Sequence, residues 1–94
     1  MTRPEIIALV EQALADARDH VGPHDWNDKT WHARNRAEYR ALADRLTTEC
    51  GARVREDSNG ARVSMVGVAS TSTAGLSGAL SNWIVAARRK EALA

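Results

Sequence analysis

The 94-residue chain contains no phenylalanine, and its aromatic side chains are three tryptophans and one tyrosine. Aliphatic side chains must therefore form most of the core, while each tryptophan contributes a large area to packing or to binding. The chain also has a single cysteine, Cys50. One cysteine excludes an internal disulfide and suits a reducing compartment, where a lone thiol packs as a small apolar group.

Long apolar runs are also missing from the sequence. No run approaches the roughly 18 residues that a bilayer-spanning helix needs. The N-terminal residues lack the apolar segment and the small-residue cleavage site of a secretory signal. We therefore expect a cytoplasmic protein without a membrane partner.

Neither sign of charge dominates, because the formal net charge is only +1. The charges are nevertheless unevenly distributed: residues 1–28 carry a net charge of −4 and residues 29–94 a net charge of +5. Such a division lets two parts of one fold attract each other, or it provides an acidic and a basic binding face. A chain this close to neutral differs from most duplex-binding domains, which are strongly basic.

Two N-terminal helices are predicted, because apolar residues recur at every third or fourth position. The first begins at Thr2-Arg3-Pro4-Glu5, which has the pattern of a capping box with proline in the first turn, and ends near Gly22. The second covers residues 31–50, with Asp28 or Thr30 as its cap.

A β-hairpin is predicted after the second helix, where apolar and polar residues begin to alternate. Asn59-Gly60 is a strong signal for a two-residue type I′ turn, in which both central residues have positive φ. With that loop, Val54 would lie opposite Met65 and Arg55 opposite Ser64.

The last helix is predicted to begin near residues 70–73, where consecutive hydroxyl side chains offer caps. Gly75 and Gly78 each cost about 1 kcal/mol relative to alanine inside a helix, which indicates that another backbone packs closely there. The order of elements predicts an α+β fold in one domain of residues 1–94, with two N-terminal helices, a β-hairpin and a C-terminal helix.

The sequence contains no motif that points to a particular reaction, and no Gly-x-Ser-x-Gly elbow surrounds its hydroxyl residues. Metal-ligand residue types do cluster between the first two helices, but their spacing matches no zinc or iron pattern. These residues are His20, His24, Asp25, Asp28 and His32. We therefore expect a binding protein rather than an enzyme, with no catalytic residue, bound metal or cofactor.

Two sets of residues are candidates for binding a partner. The first combines the acidic face of the first helix with a tryptophan and arginine surface, because tryptophan and arginine are enriched at interface hot spots; it contains Asp16, Asp19, Trp26, Trp31 and Arg34. The second would bind nucleic acid or another anion through one hairpin face and the start of the last helix; it contains Arg53, Arg55, Arg62, Ser70, Thr71 and Ser72.

The last third of the chain resembles small proteins encoded in prophages and other mobile elements, on the residues Gly67 to Leu76 and Asn82-Trp83-Ile84. Proteins of this kind include the anti-CRISPR proteins. That resemblance implies stoichiometric binding to a nuclease complex in the cytoplasm of a host cell, which blocks its DNA or its assembly. The order of elements is also similar to double-stranded-RNA-binding-like folds, including small RNA-cleaving toxins, but the catalytic histidine of those toxins has no counterpart beside this hairpin.

Three functions therefore stand as hypotheses. The first is an inhibitor of a host CRISPR–Cas complex that acts through the acidic face or the tryptophan and arginine surface. The second is a nucleic-acid-binding module that uses the basic hairpin face. The third is a phage assembly adaptor that forms a symmetric oligomer through the small residues of the last helix; the sequence is compatible with a monomer or a homodimer.

Overall fold

The computed structural model describes residues 1–93 and has the expected order of helices and strands, with one additional strand. The strands form a three-stranded antiparallel sheet in the order β1-β2-β3. The α+β class is thus confirmed. The elements are α1 (Arg3–Val21), α2 (Trp31–Cys50), β1 (Arg53–Asp57), β2 (Gly60–Met65), β3 (Val68–Ser72) and α3 (Leu76–Ala92).

Both N-terminal helices follow the sequence pattern closely. In α1 the Thr2 side chain accepts a hydrogen bond from the Glu5 backbone N–H and the Glu5 side chain accepts one from the Thr2 N–H, which is the predicted capping box. The start of α2 is different, because Thr30 occupies the cap position without a side-chain capping bond. Asp28 instead accepts hydrogen bonds from the backbone N–H and the hydroxyl of Thr30, at 2.9 and 2.6 Å.

The hairpin forms, but its predicted turn and register are wrong. Ser58 and Asn59 form the loop, and among the described residues Val66 is the only non-glycine residue with a positive φ, so the turn is not type I′. The Asp57 side chain accepts the Asn59 backbone N–H at 2.8 Å, which closes the turn one residue earlier. Every pairing therefore shifts by two residues. Each side chain keeps its predicted face, but Arg55 lies opposite Arg62 rather than opposite Ser64.

The predicted start of the last helix is also wrong. Ser70, Thr71 and Ser72 belong to β3, which pairs with β2, and α3 begins only at Leu76. A turn at Val66 and Gly67 reverses the chain between these two strands. The hydroxyl residues are therefore held by the backbone hydrogen bonds of a sheet, and only Ser72 makes a local bond, from the Ala74 N–H to its Oγ at 3.0 Å.

The close approach predicted at the glycines of the last helix does occur, within a single chain. A Cβ atom added at Gly78 would overlap the Ser72 side chain, because it would lie only 3.0 Å from the Ser72 Cβ. The close approach at Gly78 is thus met by β3 of the same chain and does not require a second copy. The adaptor hypothesis stays a prediction.

The core lies between the sheet and the helices. α3 packs across β2 and β3, while α1 packs against α3 and α2. Trp83 of α3 is completely buried, and its indole N–H donates to the backbone carbonyls of Met65 and Val68 at 3.3 and 3.1 Å. Side chains on the opposite face of the sheet, such as Arg53, Arg62 and Thr71, are exposed to solvent.

The first and last helices both hold the turn between β2 and β3. Arg3 donates to the Val66 carbonyl and forms an ion pair with Glu91 at 2.9 Å. Lys90 donates to the Gly67 carbonyl at 2.9 Å. Residues far apart in the chain therefore meet at one tight turn.

Candidate interaction surfaces

An aromatic cluster covers the loop between α1 and α2. The His24 ring lies 4.3 Å from the Trp26 ring and 4.4 Å from the Trp31 ring, measured between centroids, and 5.2 Å from the His32 ring. Such distances are typical of interacting aromatic pairs. The cluster, composed of His24, Trp26, Trp31 and His32, brings together both tryptophans that the sequence singled out.

The two tryptophans have different roles in this cluster. The Trp31 indole N–H donates to the Gly22 carbonyl at 3.2 Å, and its ring is partly buried. Trp31 therefore fastens the end of α1 to the start of α2. Trp26 is 87% exposed, and its ring contacts the His24 ring. Trp26 is thus the tryptophan that remains available to a partner.

Arg34, predicted as part of the same surface, is engaged within the chain. Its guanidinium donates to the Asp28 carboxylate at 2.6 Å. The hydrogen bonds from Thr30, followed by the charge of Arg34, lower the pKa of Asp28 below its ordinary value. Arg34 therefore holds the loop that carries Trp26, and its charge is largely neutralised.

The carboxylates on the acidic face of α1 differ in what they contact. Glu5 is used by the capping box, and Glu11 pairs with Arg88 of α3 at 2.5 Å. Asp16 and Asp19 are both exposed, and neither forms an ion pair with another residue in the range 1–93. Asp16 and Asp19 are thus the exposed carboxylates of α1 that neither cap the helix nor pair with an arginine.

A shallow groove of about 240 Å³ lies between α1 and α2 beside Asp16. Asp16, His20, Glu38 and Arg45 line it, and the His20 ring is 2.8 Å from the Glu38 carboxylate. The sequence singled out His20 only as a metal-ligand type and did not indicate its contact with Glu38, because that contact joins two helices and has no periodic signal. Their contact joins α1 to α2 at the surface of the protein.

The His20–Glu38 contact makes a small part of the stability depend on pH. The hydrogen bond to Glu38, and then the charge of Glu38, raise the pKa of His20 above its ordinary value. The contribution is therefore complete below the unfolded pKa of about 6.5 and is lost as the pH rises through the higher folded value. We expect Glu38→Gln to lower the pKa of His20, measured by NMR titration of the imidazole protons.

Glu49→Gln is the matched control, because Glu49 lies on the same helix and pairs with Arg45 at 2.8 Å. It should leave the pKa of His20 unchanged. The same His20 titration curve in the wild type and in Glu38→Gln would contradict the assignment.

The three arginines of the second predicted set lie together on the exposed face of the sheet. Arg53 and Arg55 project from β1, and Arg62 projects from β2 directly opposite Arg55. The three hydroxyl residues of that set are separated by the strand that carries them, because Thr71 lies on this face whereas Ser70 and Ser72 lie on the helix side. The three hydroxyl residues therefore do not form a site at a helix start. Thr71 shares the exposed face with the three arginines, so four of the six predicted residues lie on it.

Within residues 1–93 there is no group of three or more histidine, cysteine or acidic side chains positioned to hold a metal ion. In that same range no helix is both long and apolar enough to cross a membrane. Comparisons of the chain with protein-family models, with curated proteins and with solved structures found no match in any of the three.

Proposed function

We propose that this protein inhibits a host defence complex of the CRISPR–Cas type by stoichiometric, non-enzymatic binding, as the resemblance of its last third implies. The observation that carries the proposal is the exposure of Trp26. A large apolar side chain contributes most to the binding free energy when it is buried at the centre of an interface. Tryptophan is among the residues most enriched there. Trp26 is not part of the core, so its large exposed side chain is available for contact with a partner.

The loop around Trp26 is held in place before binding. Trp31 bonds to Gly22, and Asp28 bonds to both Thr30 and Arg34. A loop that is already ordered loses less conformational entropy when a partner binds, which raises affinity. These contacts support a role for Trp26 as an anchor.

The aspartates of α1 offer a second contact of different chemistry. Two exposed carboxylates without ion pairs can occupy a basic channel that normally receives phosphate groups. Long-range attraction of this kind accelerates association and directs the protein to a cationic surface. In this proposal Asp16 and Asp19 guide the approach to the complex, and Trp26 stabilises the bound state.

The test is phage plating on hosts that are each immune through one type of CRISPR–Cas complex and express this protein. Wild type should restore phage growth on at least one host. Trp26→Ala should bind the purified complex from that host at least about 30-fold more weakly, since hot spots contribute roughly 2 kcal/mol or more. Isothermal titration of the complex with each variant measures that loss.

Val85→Ala is the control, because Val85 is an exposed apolar side chain on α3, away from the loop. It should inhibit like the wild type. Unbroken immunity on every host would contradict the proposed function. Full inhibition by Trp26→Ala combined with loss in an Asp16→Lys, Asp19→Lys double variant would assign the contact to the acidic face instead.

A further inference from the structure

The exposed face of the sheet, which we call the arginine face, is formed by Arg53, Arg55, Arg62, Ser64 and Thr71. All three arginines are exposed. They lie on two hydrogen-bonded strands, so the backbone fixes where each side chain starts. Arg53 and Arg55 are two residues apart on β1, a step of about 6.6 Å along a strand.

The arrangement of these charges is unfavourable for folding alone. Arg55 lies directly opposite Arg62, and like charges in directly opposed strand positions are destabilising. The nearest compensation is the Asp57 carboxylate, 3.9 Å from the Arg55 guanidinium. Among residues 1–93, Arg53 and Arg62 form no ion pair. The face therefore keeps a local excess of positive charge that the fold does not use.

The other acidic residue of β1 does not neutralise this face. Glu56 projects to the helix side of the sheet. Its carboxylate lies close to Gly75 there, 3.5 Å from where an added Cβ would be. A shallow depression of about 270 Å³ lies among the arginines and reaches Val54 and Ser64. The face thus combines guanidinium donors with a hydroxyl in an open concavity.

From this arrangement we infer that the arginine face binds the phosphodiester backbone of duplex nucleic acid without reading its sequence. A duplex presents phosphates in regular rows, and regularly spaced guanidiniums on a rigid sheet match such rows better than they match the irregular carboxylates of a protein surface. No aromatic side chain lies on this face, so the stacking that holds single strands is absent. The inference goes beyond the proposed function and uses none of its residues.

The binding is weak at physiological salt, because only three cations take part and the whole chain is nearly neutral. Neutralising three phosphates gives a logarithmic salt dependence with a slope of about −2.7 for duplex DNA. Fluorescence anisotropy with a labelled duplex of about 20 base pairs, at roughly 20 to 200 mM KCl, measures this slope. We expect a dissociation constant on the order of micromolar at the lowest salt.

The variant Arg55→Gln, Arg62→Gln removes the two facing arginines. This variant should bind the duplex at least about tenfold more weakly at low salt. The magnitude of its salt-dependence slope should fall by about 2, because each lost phosphate contact lowers that magnitude by about 1. The control Arg40→Gln, Arg45→Gln changes the net charge equally but lies on α2, and it should bind like the wild type. Trp26→Ala should also bind the duplex normally, which separates this inference from the proposed function.

Folding of the variants is checked by circular dichroism, and removal of the facing charges should leave the melting temperature unchanged or higher. If the double variant does not fold, Arg53→Gln alone tests the same face and should reduce the slope by about 1. Any of three results would overturn the inference. These are undetectable duplex binding at low salt, equal weakening by the α2 control, or equal affinity for the duplex and a single strand of the same length.

Discussion

Trp83→Ala is expected to lower the free energy of unfolding by about 3 to 5 kcal/mol, the usual cost of removing a large buried aromatic side chain. Trp83 is completely buried, and its indole N–H is bonded to two carbonyls on either side of the turn between β2 and β3. Its loss leaves a cavity where α3 meets the sheet and removes both hydrogen bonds from the indole. A small domain with only about 5 to 15 kcal/mol of stability is then close to unfolding.

Urea denaturation followed by circular dichroism measures this effect. Trp83→Phe keeps part of the ring but loses the N–H donor, and we expect it to cost about 1 to 3 kcal/mol beyond the lost packing. Trp26→Ala is the control within the same molecule, because Trp26 is 87% exposed. Equal destabilisation by Trp83→Ala and Trp26→Ala would show that Trp83 does not organise the core.

Gly60→Ala is expected to have the next largest effect, a loss of about 3 kcal/mol or a change of strand register. Gly60 has φ +131°, where side chains are strained by roughly 1 to 3 kcal/mol. A Cβ atom at this position would also lie 2.5 Å from the Ser72 backbone oxygen of β3. Because a backbone atom of a paired strand cannot move aside alone, the pairing of β2 with β3 must shift.

Gly51→Ala is the matched control for this prediction. Gly51 has φ +66° but nothing lies within 4 Å of an added Cβ, so alanine there adds only backbone strain. The difference between the two variants in urea denaturation isolates the overlap with Ser72. Equal losses of stability in Gly60→Ala and Gly51→Ala would refute a close contact between β2 and β3 at this point.

The helices were predictable because their signals are local. The capping box at Thr2 and Glu5 and the glycines after each N-terminal helix act within a few residues, and the apolar period spans whole elements. The hydroxyl residues 70–72 match the residue types of helix caps, and threonine also suits strands, so the local pattern does not decide between the two. Only the pairing with β2, which no local pattern records, decides for the strand.

The sequence indicated which residues belong to the candidate surfaces but not what each of them contacts. Trp26 and Trp31 are equivalent in the sequence, whereas in the fold Trp31 bonds to Gly22 and Trp26 is exposed. Arg34 was predicted to face a partner but is paired with Asp28. The hairpin arginines were predicted on the correct face, because a register error of two residues leaves every side chain on the same face. The pairing of Arg55 with Arg62 was not predicted, because it depends on the turn that the Asp57 side chain closes.

The turn at Val66 and Gly67 has a consequence for how the chain folds. The residues that hold it, Arg3 and Lys90, lie far apart in the sequence, and the apolar stripe of α1 is covered by both α2 and α3. Contacts between such distant residues raise the contact order, which slows folding. During synthesis on the ribosome, the part of α1 that packs against α3 remains uncovered until α3 has emerged, so α1 is made before α3 but is completed only with it.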